Sequence, residues 1–387
     1  MKTSAFVKSL TTTAAVFAVG AGLSTSAWAE DIVIGAAVAQ SGWMNAFDGP
    51  SLSGFKVFMD QLNAKGGLNG KKIVLKIVDT KTEQAGSKDA ATQLINDGAQ
   101  ILLTSANFDF GAPGGNVAQA KGILNFSLGA ASPLYGPQGI GPQAYSSAPS
   151  TYLEGNGIAL TLADLGKKKP FVLIDDTIDY STQVGQGITD QLKKLGIVPA
   201  GQATFKNGDT SIATQISKIE SSGADSIAIA TFLPGGAAAL RQIRAAGLKQ
   251  PIATCLGLGG TDWVSGVPNL GEFYETAVAS IYGDDPDAGV KAFVTDFTKA
   301  TGAAPATSQA IEGYNVGELI VAALKETKGN TDGAALSKAL DGFKHFKMLG
   351  GEINYSETEH IKQDGPVTVL QYKDGKAGFY KIFNIKN

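Results

Sequence analysis

The 387-residue chain is poor in the residues that most catalytic and metal sites require, with one cysteine and two histidines. A single cysteine excludes a disulfide within the chain, and a chain of this length needs none to bury a core. We expect Cys255 to be a small buried core residue rather than a reactive thiol. The sequence also lacks a Cys/His cluster for zinc and the Gly-x-Ser-x-Gly pattern of a hydrolase nucleophile. Gly257 and Gly259 lack the third glycine of a dinucleotide site. We therefore predict no metal, no cofactor and no catalytic residues.

The chain also lacks an excess of charge of either sign. Its formal net charge is −3, so no basic surface is available for nucleic acid, which we exclude as a partner. Apolar residues make up 43% and charged residues 17%, a balance typical of a compact protein. The length is sufficient for two domains with separate cores.

Apolar runs long enough to span a membrane are missing, and the N-terminal pattern predicts a signal peptide over residues 1–29. Lys2 and Lys8 precede a short apolar core at residues 14–23, and Ala27-Trp28-Ala29 fits a small-x-small cleavage site. The alternative is an anchoring transmembrane helix, but the apolar core falls short of the roughly 20 residues that a span needs. No cysteine lies near the cleavage site, so no lipid anchor is expected. We predict export, with cleavage after Ala29 and a mature chain beginning at Glu30.

The following residues predict a strand–helix–strand unit that the rest of the chain repeats. The continuous apolar run over residues 32–38 is typical of a strand buried on both faces of a parallel sheet. Apolar residues at helical spacing follow, and residues 73–79 form the next strand. Ligands bind beyond the carboxyl ends of such strands, which points first to Ser41 and Trp43.

Further apolar strands are followed by stretches of small or hydroxyl-bearing residues, at 104–108 and at 129–133. Between these two strand exits, a helix is predicted only over residues 117–121. The turn-rich stretch 145–149 predicts a crossing into a second domain. The fold class is therefore α/β, with two doubly wound parallel-sheet lobes joined by a multi-crossing hinge. We assign residues 30–148 and 278–355 to the first lobe, and residues 149–277 and 356–387 to the second. Their strand exits should face each other across a cleft.

Four motifs, in this order, carry a resemblance to a known family. They are Asn63-Ala64-Lys65-Gly66-Gly67-Leu68-Asn69-Gly70-Lys71-Lys72, Leu240-Arg241-Gln242-Ile243-Arg244-Ala245-Ala246-Gly247-Leu248, Gly313-Tyr314-Asn315 and Gln371-Tyr372-Lys373-Asp374-Gly375-Lys376. Over essentially its whole mature length the chain resembles the type I periplasmic solute-binding proteins of the leucine/isoleucine/valine-binding class.

The resemblance implies a monomeric periplasmic protein that delivers a small solute, most often an amino acid with an apolar side chain, to an inner-membrane ABC permease. It implies a carboxylate site on the strand exits of the first lobe, built from backbone N–H and hydroxyl groups. By position, this site falls on Ser105, Asn107, Phe108, Gly129, Ala131 and Ser132. The aromatic wall falls on Trp43, Tyr180 and Phe232.

Two departures from the family leave the solute open. Leu256 occupies the turn where relatives place the carboxylate that pairs with the ligand ammonium, and Ala131 replaces a threonine. A buried ammonium without a counter-charge would cost several kcal/mol. Either Asp179 or Asp262 supplies the charge, or the solute is an aromatic or aliphatic carboxylate without an amino group.

Each predicted site residue has a structural alternative. Trp43 could belong to a surface patch, Tyr180 could begin a helix, and Phe232 could be core. Ser105 and Ser132 could bond only to local backbone. Two other functions also remain open, an exported enzyme that uses the same cleft and a sensory ligand-binding module that docks on a receptor.

Overall fold

The computed structural model describes residues 1–5 and 31–386. The predicted cleavage site after Ala29 lies outside these residues, as does most of the predicted signal peptide. None of the helices in residues 1–5 and 31–386 has the length and apolar character needed to cross a membrane.

The described residues alternate strands and helices along most of the chain. The strands are β1 (Ile32–Val38), β2 (Ile73–Asp79), β3 (Ile101–Thr104), β4 (Leu124–Ser127), β5 (Ala144–Ser146), β6 (Pro170–Asp175), β7 (Gly201–Phe205), β8 (Ser226–Ala230), β9 (Ile252–Thr254), β10 (Phe273–Ala277), β11 (Phe346–Met348), β12 (Gly351–Ile353), β13 (Gly365–Lys373) and β14 (Lys376–Ile385). The helices are α1 (Asn45–Ala64), α2 (Gln84–Asn96), α3 (Phe108–Ala120), α4 (Thr151–Asp164), α5 (Asp179–Lys194), α6 (Ala213–Ser222), α7 (Gly235–Ala245), α8 (Ala288–Thr301), α9 (Gln309–Glu326) and α10 (Gly333–Asp341).

Two large sheets divide the molecule. The first has the order β2-β1-β3-β4-β5 and is parallel throughout. The second has the order β14-β13-β10-β9-β8-β6-β7 and is parallel except for the pairs formed by β13 and β14. We call the first sheet with α1–α3 and α8–α10 lobe 1, and the second sheet with α4–α7 lobe 2. Helices cover both faces of each sheet at its centre, which explains why central strands such as β3 and β8 are buried at every position.

Helices α1 and α9 approach each other closely in lobe 1, and this contact fixes the position of α9. A Cβ atom added to Gly54 would lie 1.8 Å from the carbonyl oxygen of Ala310. A Cβ atom added to Gly313 would lie 1.7 Å from the carbonyl oxygen of Ser51. Only glycine permits this separation, because any side chain would overlap backbone atoms of the facing helix. This packing also fixes the backbone of Glu312, which immediately precedes Gly313.

The chain passes between the lobes in segments that bond to one another. The backbone N–H of Ser150 donates to the carbonyl of Lys362, and the N–H of Lys362 donates to the carbonyl of Ala148. These bonds tie the segment that leaves lobe 1 before α4 to the segment that enters β13. Such paired crossings between lobes are typical of a hinge.

Helix α3 begins at Phe108, nine residues before the helix predicted at residues 117–121. The intervening Gly111, Pro113, Gly114 and Gly115 indicate a loop by composition. In the structure the small residues instead allow α3 to pack against α2, where the N–H of Gly114 donates to Ser87 Oγ at 3.2 Å. The longer helix places its N-terminal end beside the cleft between the lobes.

Candidate functional site

A cavity lies between the lobes, at the exits of strands from both sheets. It is lined by Trp43, Met44, Phe47, Ala106, Asn107, Gly129, Ala131, Glu154, Ile178, Tyr180, Phe232, Leu256, Gly257, Gln309 and Glu312. The carboxyl ends of parallel strands form this edge, which is where open α/β sheets bind ligands.

Aromatic side chains form one wall of the cavity and join the lobes. Trp43, in the loop after β1, packs edge-on against Phe47 and Phe110 at ring-centroid distances of 6.2 and 5.4 Å. Its ring also lies 5.2 Å from that of Phe232, which follows β8 in lobe 2. Since Trp43 and Phe232 belong to different lobes, their contact shows that the cleft is closed.

A buried carboxyl group organises the strand exits of lobe 1. Asp48, in the first turn of α1, accepts hydrogen bonds from the N–H groups of Ala39 and Ala106, each at 2.7 Å, and from Ser105 Oγ at 3.0 Å. Burial raises the pKa of Asp48 to about 6, although these three bonds act in the opposite direction. Asn107 follows, and its side-chain oxygen accepts from the N–H of Asp109 at 2.9 Å, which caps α3.

Glu154, on α4 of lobe 2, brings the first acidic side chain to the cavity. One carboxyl oxygen, Oε2, accepts hydrogen bonds from the Tyr180 hydroxyl at 2.8 Å and from the N–H of Leu256 at 3.1 Å. The Tyr180 hydroxyl in turn accepts from the N–H of Gly257 at 3.1 Å. Burial raises the pKa of Glu154 to about 7, and the bonds from Tyr180 and Leu256 oppose this rise.

Glu312, on α9 of lobe 1, brings the second acidic side chain. Its Oε2 lies against the main chain of Gly129, where an added Cβ atom would be only 2.5 Å away. Gly129 has φ = +155°, so both its backbone conformation and its lack of a side chain accommodate this carboxyl group. Burial raises the pKa of Glu312 well above its ordinary value, and the nearby charge of Glu154 raises it further.

The electrostatic character of the cavity follows from these two groups. Among the described residues, no lysine, arginine or histidine side chain lines it. The described part of the chain also contains no cluster of histidine, cysteine and acidic residues suited to a metal ion. The cavity is therefore apolar on its aromatic side and acidic where Glu154 and Glu312 meet it.

The structure places many of the predicted site residues on the cavity. The residues brought together there are Trp43, Asn107, Gly129, Ala131, Tyr180, Phe232 and Leu256. Leu256 contributes apolar surface, and its backbone N–H is held by Glu154. Cys255, the next residue back along the chain, is fully buried, and burial raises the pKa of its thiol to about 11.

Four other predicted site residues lie outside the lining, and their bonds explain why. The Ser41 hydroxyl is exposed and donates to Asp79 at 2.7 Å, whereas the Ser105 hydroxyl is buried and donates to Asp48. Ser132 Oγ accepts from the N–H of Leu134 at 3.3 Å. Phe108 packs on a small apolar cluster around Ala112 and Tyr135. These residues support the strand exits or bond elsewhere, and they do not line the cavity.

The acidic residues of the site are also not the ones predicted. Asp179 and Asp262 are exposed and do not line the cavity. The acidic residues that line the cavity are Glu154 and Glu312. The sequence analysis predicted neither of them. The available signal was weak: Glu154 and Glu312 are the acids among the buried positions of α4 and α9, where most other buried residues are small or apolar.

Known proteins match this chain along nearly its whole length. A family profile described as periplasmic binding protein matches residues 31–377. The Leu/Ile/Val-binding protein homolog 3 of Brucella melitensis is 24% identical over 363 residues, which cover 93% of this chain and 96% of that protein.

Solved structures share the fold. The leucine-binding protein LivK of Thermotoga maritima superimposes with a TM-score of 0.80 at 20% identity, covering 91% of this chain and 99% of LivK. A solute-binding protein of R. palustris, in complex with benzoate, superimposes with a TM-score of 0.77 at 18% identity, covering 91% and 96%. The predicted fold class and family resemblance are confirmed.

Proposed function

The chain belongs to the periplasmic binding protein family, and we propose that it is the solute-binding component of an ABC importer for an amino acid with an apolar or aromatic side chain. In this proposal it acts in the periplasm as a monomer, after cleavage behind Ala29, and delivers its solute to an inner-membrane permease. In this proposal it binds and releases its solute without catalysis, which the match to a family of binding proteins supports.

One observation carries the choice of solute: the cavity combines an aromatic wall with two buried carboxyl groups, and none of the described residues brings a basic side chain to it. Trp43, Phe47 and Phe232 offer apolar surface to a side chain. Glu154 and Glu312 offer a counter-charge to an ammonium group. The first-lobe strand exits at Asn107, Gly129 and Ala131 remain for the solute carboxylate, as the family resemblance implies.

A carboxylate without an amino group is the second candidate, and the same observation disfavours it. Such a solute would add a third acidic group to a closed cavity to which the described residues contribute no cation. Burying an unpaired charge costs several kcal/mol, and like charges raise that cost. Leu256, which replaces the acid of related proteins, does not remove the cavity's acidity, because Glu154 bonds to its backbone and occupies the same region.

A thermal-shift screen tests this proposal on the mature protein. The panel contains apolar and aromatic L-amino acids together with benzoate, 4-methylpentanoate and 3-phenylpropanoate. A solute that binds only the folded protein stabilises it by roughly 2.7 kcal/mol at a hundredfold excess over Kd. We expect the largest shifts from amino acids. Shifts from the plain acids alone would refute the amino-acid assignment, and turnover of any bound solute would refute the absence of catalysis.

The sensory alternative differs from this proposal only in the partner. A transport assay distinguishes them: deletion of the gene for this chain should abolish high-affinity uptake of the identified amino acid. Unchanged uptake, together with loss of a transcriptional or chemotactic response to that amino acid, would favour the sensory module.

A further inference from the structure

The two acidic side chains of the cavity come from opposite lobes. Glu154 lies on α4, which packs on the sheet of lobe 2, and Glu312 lies on α9, which packs on α1 in lobe 1. Their side chains are 3% and 2% exposed. Hinge motion therefore moves the two carboxyl groups relative to each other, and closure brings both into the same desolvated space.

Within residues 1–5 and 31–386, no cationic side chain pairs with either carboxyl group. Glu154 receives hydrogen bonds from the Tyr180 hydroxyl and the Leu256 backbone, and Glu312 lies against Gly129. Hydrogen bonds of this kind offset part of the cost of burial, but they leave the charge of each carboxylate uncompensated.

We infer that Glu154 and Glu312 together form a two-carboxylate site for the cationic group of the solute, and that their mutual repulsion opposes closure of the cleft when no cation lies between them. This inference rests on the proposed function, which requires a solute with an ammonium group. It adds that two acids bind this group, one from each lobe, and that the solute charge itself permits closure.

Other titratable groups face Glu154, Glu312 and the rim of the cleft, and they also oppose closure when no cation is bound. Around Glu154 are Tyr180, Cys255 and Glu275. Burial raises the pKa of all three, and the charge of Glu154 raises each further. At the rim, Asp109 of lobe 1 faces Asp179 of lobe 2, and burial together with the charge of Asp179 raises the pKa of Asp109. All of these neighbours are acidic or neutral, so none supplies the missing cation.

Closure without solute should consequently depend on pH. Protonation of either carboxyl group removes the repulsion, so the closed fraction of the solute-free protein should increase as pH falls from 8 to 5.5. Small-angle scattering measures this change as a smaller radius of gyration, and the fluorescence of Trp43 reports its contact with Phe232. The variants Glu154→Gln and Glu312→Gln keep the side-chain shape and remove one charge each. Both should close more readily than the wild type at pH 8 and should respond less to pH.

Binding of matched probes tests whether Glu154 and Glu312 bind the cationic group of the solute. The probes are L-leucine, 4-methylpentanoate and 3-methylbutylamine, and the corresponding set for an aromatic solute is L-phenylalanine, 3-phenylpropanoate and 2-phenylethylamine. Removing one partner of a buried ion pair typically weakens binding about a hundredfold. We expect each variant to lose about this factor for the amino acid and a comparable factor for the amine. Binding of the deaminated acid should be unchanged or stronger.

Glu318→Gln is the matched control. Glu318 lies on α9, six positions after Glu312, and burial raises its pKa to about 7, but it does not line the cavity. This variant should keep the affinity and the pH response of the wild type.

Two results distinguish a failure of the two-carboxylate site from a failure of the proposed amino-acid binding. If the wild type binds an amino acid and both Gln variants bind it equally well, the two-carboxylate site is refuted while the proposed function stands. If the wild type binds only the deaminated acids, the proposed function itself fails. A solute-free closed fraction that is the same in the wild type and both variants at pH 8 would refute the role of repulsion.

Discussion

Replacement of Phe232 should weaken solute binding through the contact between the lobes. The Phe232 ring is 3% exposed, and its centroid lies 5.2 Å from that of Trp43 with an interplanar angle of 35°. Because this contact joins lobe 1 to lobe 2, it contributes to the closed form and is lost in an open one. Phe232→Leu removes the ring and keeps apolar volume, whereas Phe232→Ala removes both.

The size of the effect follows from the ring pair and the buried area. An aromatic pair contributes about 0.5–1.5 kcal/mol beyond its area, so Phe232→Leu should cost about 1 kcal/mol, or roughly fivefold in Kd. Full burial of a phenylalanine side chain contributes about 1.5–3 kcal/mol, part of which persists within lobe 2 when the cleft opens. Phe232→Ala should therefore cost about 2 kcal/mol, or roughly thirtyfold. Most of this change should appear as faster dissociation.

Titration calorimetry with the amino acid identified by the screen measures Kd, and stopped-flow fluorescence of Trp43 measures dissociation. Phe171→Leu is the control, because Phe171 is equally buried in β6 but does not line the cavity. It should lower the free energy of unfolding and leave Kd unchanged. If Phe232→Ala lowers stability in the same way without changing Kd, Phe232 is a core residue, and the reasoning about closure is wrong.

Three further predictions address titration, backbone geometry and export. Burial raises the pKa of Glu275 from 4.5 to about 8, so the stability that its proton confers is complete below pH 4.5 and is lost as pH rises toward 8, by up to about 1.4 kcal/mol per pH unit. Urea unfolding at pH 5.5 and 7.5 should therefore show that the free energy of unfolding falls less between these pH values for Glu275→Gln than for the wild type or the exposed control Glu272→Gln. Equal losses of unfolding free energy would mean that Glu275 is ionised in the folded protein. Gly129→Ala should displace the Glu312 carboxyl group, since the added Cβ atom would lie 2.5 Å from Oε2 of Glu312. Calorimetry should then show an amino-acid affinity at least tenfold lower than that of the wild type. An unchanged affinity would contradict this geometry. Mass spectrometry of periplasmic extract should find a mature chain that begins at Glu30, and an intact N-terminus in the membrane fraction would contradict cleavage after Ala29.

The relation between sequence and site is clearest at Trp43 and Leu256. Both lie directly after apolar strands, and the exits of parallel strands meet at one edge of a sheet. The position of strand exits therefore placed Trp43 on the cavity, and the family resemblance placed Leu256 there. Ser105 and Ser132 are also at strand exits, yet their hydroxyl groups bond to Asp48 and to the N–H of Leu134. Which direction a short polar side chain takes depends on the partners that packing supplies, and no local pattern records it.

The sequence by itself determined the two-lobed α/β fold, because continuous apolar strands alternating with amphipathic helices have few other ways to bury their surfaces. Only the tertiary structure decided where the acidic groups lie. Glu154 and Glu312 are 158 positions apart and belong to different lobes, and they meet because α4 and α9 converge on the same cleft. The close packing of α9 on α1 at Gly54 and Gly313 sets that convergence. The relative position of two residues so far apart in sequence depends on how whole helices pack. Helix packing is determined by many contacts and not by the few residues that flank Glu154 or Glu312 in the sequence.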